Sequence, residues 1–84
     1  MTRLWPEGSL IKVMGEQDSF PQRLFWQGQT HNITQVTRHW RIKSDWWDEP
    51  IWRDYFKLTT DTGLLLIIFH DLLSHQWYLQ RLYD

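Results

Sequence analysis

The sequence predicts an all-β fold, a small antiparallel SH3-like roll or barrel of about six strands in one domain spanning residues 1–84. Three observations carry that prediction. Runs of strand length alternate with turn signals at residues 6–9, 15–21, 27–29, 44–50, 60–63 and 71–74. Residues 55–60, 64–70 and 75–83 read as three strands joined by two tight connections, a meander. The middle run of that meander is apolar on both faces, as a strand covered from both sides would be.

The elements follow in order. Residues 10–14 set Leu10, Lys12 and Met14 against Ile11 and Val13, the alternation of a strand with one buried face. Residues 23–26 and 30–33 flank Gln27-Gly28-Gln29, where Gly28 can take the positive φ of a tight hairpin, so these two runs should pair. Residues 36–43 fit period two through Val36, Arg38, Trp40 and Ile42, and their Thr and β-branched content favours a strand with a bulge or turn near Thr34 and Gln35. A short helix over residues 34–43 is the alternative, and it would make the fold α+β. In the last unit Thr60-Asp61-Thr62-Gly63 supplies the Asp and Gly that turns favour. Leu65, Ile67 and Phe69 should then point one way, with Leu66 and Ile68 pointing the other.

A chain of 84 residues has a modest core, and it has no cysteine, so disulfides and thiolate metal sites are excluded. Seven Trp, four Phe and three Tyr are the compensating device, since each ring buries a large area with few rotatable bonds. Seven indoles exceed what such a core hides, which places one or two at an interface. Nine basic and ten acidic residues give a net charge of −1, so nucleic-acid binding would need a local basic patch. The longest apolar run, 64–69, is too short to span a bilayer, and MTRLWPEG lacks the apolar stretch of a signal peptide. Both favour a cytoplasmic protein.

Catalytic patterns are weak. His70, Asp71 and His75 flank the last turn, but their spacing matches no metal motif and Asp71 suits the turn itself. Asp45, Asp48, Glu49 and Asp54 lack the companion groups of a hydrolytic site. The four glycines are isolated from any Lys-Ser or Lys-Thr pair, so there is no phosphate cradle. No enzyme, cofactor or metal is therefore expected. The informative segment is Arg38-His39-Trp40-Arg41-Ile42-Lys43 beside Trp46 and Trp47. As a strand it groups Arg38, Trp40 and Ile42 on one face and His39, Arg41 and Lys43 on the other, leaving one face mostly cationic. Cations tracking phosphates beside stacking rings are how single-stranded nucleic acid is held. The plainer reading pairs Arg41 and Lys43 with Asp45, Asp48 or Glu49.

FWQGQ at 25–29, Val36 with His39-Trp40, DWW at 45–47, RDYF at 53–56, FHDL at 69–72 and the ending WYLQRLYD together resemble a small bacterial domain of unknown function. A similar run closes ImuB-like proteins, catalytically inactive relatives of Y-family DNA polymerases that act in damage-induced mutagenesis. The resemblance covers about residue 21 to the C-terminus; it implies an accessory or adaptor role in bacterial DNA repair and translesion synthesis, and carries over no catalytic residue. His70 stands where that pattern usually carries Arg.

The expectation is a non-enzymatic interaction module. Its binding surface is Trp46 and Trp47 with Arg41, Lys43 and Arg53. The partner would be a protein of a translesion polymerase assembly, with a single nucleic-acid strand or a second copy of the chain, as a homodimer, as the alternatives.

Overall fold

The computed structural model describes residues 2–17, 20–44 and 50–83. Six antiparallel strands, β1 (Thr2–Gln17), β2 (Phe20–Trp26), β3 (Gln29–Ser44), β4 (Ile51–Thr60), β5 (Leu65–Asp71) and β6 (Gln76–Tyr83), pair in chain order and close into a barrel through β1 and β6. The described residues contain no helix, so the helical alternative for residues 34–43 gives way to strand. Closure makes β1 and β6 each other's partners, where an open sheet would expose both as full-length edges.

Two strands are much longer than their periodicity suggests, because each serves two sheets. The first part of β1 pairs with β6 and its second part with β2. Likewise β3 pairs with β2 up to Asn32 and with β4 from Ile33 onward. The runs at 30–33 and 36–43 are thus one continuous strand. The turn expected at residues 6–9 is corrected in the same way: the segment lies inside β1 as an irregularity between Leu4 and Ser9, with Gly8 at φ +86°. The hairpin at Gln27-Gly28 forms as expected, with φ of +51° and +74° at its two central residues.

Bulges set which side chains face inward. The pairing of β3 with β4 skips Thr34 and again skips Thr37, so Ile33, Val36 and His39 all turn to the interior despite their three-residue spacing. Each skipped residue is a threonine whose hydroxyl donates to a β4 carbonyl, Thr34 to Thr59 (3.2 Å) and Thr37 to Lys57 (3.0 Å). A third bulge, at Gln80, brings Leu79 and Leu82 to the same side.

The interior holds Ile11, Leu24, Phe56, Leu58, Leu66, Ile68, Trp77, Leu79 and Leu82. A second apolar cluster, Tyr55, Ile67 and Phe69, packs on the outer face of the same strands under Trp40, Tyr78 and Tyr83. The two apolar faces of β5 are accordingly both covered within one chain. Tyr55 and Phe56, adjacent in sequence, are both buried, one in each cluster.

Candidate functional site

The outer face of β3–β6 is built in rows, because antiparallel register sets side chains directly opposite one another. One row is wholly aromatic: Trp40 on β3 faces Tyr55 on β4, which faces Phe69 on β5, which faces Tyr78 on β6. Ring centroids along it are 5.3, 5.2 and 5.0 Å apart, a ladder of rings crossing four strands.

The next row is Arg38, Lys57, Ile67 and Arg81 in the same strand order. With strands about 4.8 Å apart, Arg38 and Arg81 stand roughly 14 Å from each other across the sheet. Arg38 lies over Trp40 at 4.9 Å from the ring centroid, Lys57 over Tyr83 at 5.3 Å and Arg81 over the same ring at 5.7 Å. From the opposite side of the ladder Arg53 covers Phe69 at 4.6 Å and reaches Tyr55 Oη at 3.4 Å. The rings are a floor and the cations are the surface. Such contacts order long side chains at a cost recovered by about 0.5–1 kcal/mol each at exposed sites.

These cations have no carboxylate partner among the described residues, where every ion pair involves Asp54. Asp71 is the acidic residue on the outer face of these strands, and its Oδ1 accepts from the backbone N–H groups of Leu73 and Ser74. A chain of net charge −1 therefore carries a locally positive face.

The residues expected to bind a partner are divided by the fold. Arg53 belongs to this outer face. Arg41 does not: it turns to the interior side of the sheet, where Nε donates to Asp54 Oδ1 at 2.6 Å and Nη2 to Oδ2 at 3.1 Å. The Asp54 side chain is 6% exposed, with His39 Nε2 at 3.8 Å from its Oδ1. The Arg41 hydrogen bond holds this carboxyl below the usual carboxylate range against the opposing effect of burial. The cationic face expected of His39, Arg41 and Lys43 is thus partly neutralised from β4, by Asp54. Lys43 lies over Trp52, 5.4 Å from the ring centroid. Trp46 and Trp47 lie outside the described residues, as do Asp45, Asp48 and Glu49.

His70, Asp71 and His75 do not converge. The His70 ring stacks on Trp77 at 4.3 Å, Asp71 shapes the turn, and His75 is exposed at φ +61°. Among the described residues no three His, Asp or Glu side chains are grouped to hold a metal.

Lys57 and Arg81 are the site residues that the sequence reading passed over. The alternation Arg53, Tyr55, Lys57 marked one of them. Nothing in the chain marked Arg81, which reaches the row only through the bulge at Gln80. No family model, curated protein or solved structure matches this chain.

Proposed function

We propose that the chain is a non-catalytic interaction module that holds a single nucleic-acid strand on the outer face of β3–β6. The observation that carries this is the row Arg38, Lys57 and Arg81, seated on aromatic rings and free of carboxylate partners among the described residues. Cations held in place beforehand lose less freedom on meeting phosphates, and the half-buried Trp40 offers a ring for a base at the row's edge. The resemblance of residues 21–84 to the end of ImuB-like proteins suggests a DNA-repair setting, as an accessory to translesion synthesis.

Titration of the chain with oligothymidylate, followed by anisotropy at increasing salt, tests this reading. Three to four phosphate contacts on a single strand give a log–log salt slope of roughly −2 to −3. The combined substitution of Arg38, Lys57 and Arg81 by Ala should abolish binding while the far-ultraviolet spectrum is unchanged. Absence of binding at low salt, or binding that survives the triple substitution, sinks it.

A protein partner is the second reading, and a separate observation favours it. Ile42, Trp52 and Leu73 are 42%, 37% and 51% exposed, and Ile42 and Trp52 flank the segment 45–49 that carries Trp46 and Trp47. The backbone bond from Leu72 N–H to the Trp52 carbonyl (2.9 Å) ties the β5–β6 turn to the start of β4, next to Leu73. The exposed Trp52 and Leu73, brought to one end of the sheet by that bond, suit a docking protein of the translesion assembly. Substituting Trp52 and Leu73 by Ser should then disrupt a complex with that assembly without altering oligothymidylate binding.

A further inference from the structure

At the end of the barrel where the β2–β3 hairpin turns, a cavity of about 260 Å3 is lined by Leu64 and Leu82 together with Arg3, Trp26, Gln27, Gln29 and His31. None of these residues belongs to the outer face. Two of the lining side chains, His31 and Trp26, are held by neighbours. His31 is 5% exposed, and its Nδ1 is hydrogen-bonded to Thr62 Oγ1 at 2.6 Å, which bonds Thr60 Oγ1 at 2.8 Å, so only Nε2 remains for another partner. Trp26 is held edge-on by Trp5, with centroids 6.3 Å apart at 82°. Arg3 has no carboxylate within ion-pair distance among the described residues.

Gln27 adds an independent observation. It occupies the first central position of a two-residue hairpin at φ +51°, where Gly, Asn or Asp carries less strain. A strained residue that lines a cavity points to a use for its side chain.

We propose that this cavity binds a nucleobase carrying a phosphate. Trp26, Leu64 and Leu82 give a planar ring apolar surface to lie on, and the side chains of Gln27 and Gln29 carry the donor and acceptor groups that pair with a base edge. Arg3 takes the phosphate by charge-assisted hydrogen bonds. The volume, just below the usual range for drug-sized ligands, suits a single nucleotide rather than a longer stretch of strand. A free mononucleotide and the terminal nucleotide of a strand share this chemistry. The inference stands apart from the outer-face reading and fails separately from it.

The test is a 1H–15N titration of the full chain with adenosine and cytidine monophosphates, and with oligothymidylate with and without a 5′-phosphate. Saturable shifts of the Trp26 indole and of the Gln27 and Gln29 side-chain amides are expected. With mononucleotides they establish the free ligand as sufficient. With the phosphorylated oligonucleotide alone they assign the end of a strand. Arg3→Gln should weaken phosphate-bearing ligands about tenfold. Gln27→Gly should raise Tm by relieving the turn and still weaken binding about fivefold or more, a pairing that a purely structural role cannot produce. No saturable shift at Trp26 with either source, or affinity unchanged in Gln27→Gly, overturns the proposal. Shifts confined to the Trp40 indole refute this cavity and leave the outer face as the binding surface.

Discussion

At Gly8 only a hydrogen fits between the β1 irregularity and the outer aromatic cluster. A Cβ there would lie 2.8 Å from Phe69 Cζ and 2.8 Å from Tyr78 Cβ, at a φ of +86°. Gly28 has φ +74° with no heavy atom within 4 Å of the same position. Gly28→Ala therefore incurs the backbone penalty alone, about 1 kcal/mol, whereas Gly8→Ala must also displace the Phe69 ring and the Tyr78 Cβ and should cost about 3 kcal/mol in all. Urea unfolding of the two variants reads the difference, and equal costs would mean that residues 5–8 move aside freely. Acid behaviour is also decided by single residues. Asn32 donates its side-chain amide to Asp61 Oδ2 (2.8 Å) and its backbone N–H to Oδ1 (3.1 Å), which lowers the Asp61 pKa. The Arg41 hydrogen bond lowers that of Asp54. A carboxyl depressed in the folded state contributes stability that is present above its unfolded pKa of about 3.9 and is lost as pH falls through the lower folded value. Tm should accordingly hold level above about pH 5 and fall below about pH 4, and both Asp61→Asn and Asp54→Asn should flatten that fall. An acid limb of unchanged slope in both variants would assign it to other carboxyls.

Among the elements, the ladder Trp40–Tyr55–Phe69–Tyr78 ties β3, β4, β5 and β6 together by ring contacts, stacked at the first two steps and tilted at the last, as well as by backbone pairing. Stacked pairs contribute about 0.5–1.5 kcal/mol beyond the area they bury, so a double-mutant cycle of Trp40→Leu and Tyr55→Leu should show a coupling in that range. A coupling near zero would reduce the ladder to independent burial. Alternation alone made much of this face legible: Arg38 with Trp40, and Leu65, Ile67 and Phe69 on one side of β5, are where period two puts them. The turn at Gln27-Gly28 was legible because positive φ has a residue signature. The bulges were less so. One near Thr34 was expected, but those at Thr37 and Gln80 are defined by what the partner strand does opposite them, and a single strand's sequence does not contain its partner's register. The same reason hid the continuity of β1 through Pro6 and Gly8, since turn chemistry and bulge chemistry use the same residues.

For the molecule as a whole, barrel closure sorts the basic residues into two populations that the linear sequence mixes. Arg41 sits on the strand of Arg38 yet faces the buried Asp54, whereas Lys57 sits on the strand of Asp54 yet faces solvent over Tyr83. The sequence reading grouped Arg41, Lys43 and Arg53 with Trp46 and Trp47; the fold instead groups Arg38, Lys57 and Arg81, which meet only when four strands are in register. The two groups should separate in experiment. Arg41→Ala removes the partner of a carboxylate that is 6% exposed, so it should lower the urea midpoint clearly while leaving affinity for oligothymidylate unchanged at temperatures where the variant is folded. Lys57→Ala removes a cation resting on a ring at the surface, so stability should change by less than about 0.5 kcal/mol while the log–log salt slope of binding becomes shallower by about 0.7, one phosphate contact. If Arg41→Ala weakened binding and Lys57→Ala did not, the nucleic acid would lie where β3 ends and β4 begins, beside Lys43 and Trp52. The outer face would then be a structural clamp, its cations serving to shield the rings beneath them from water.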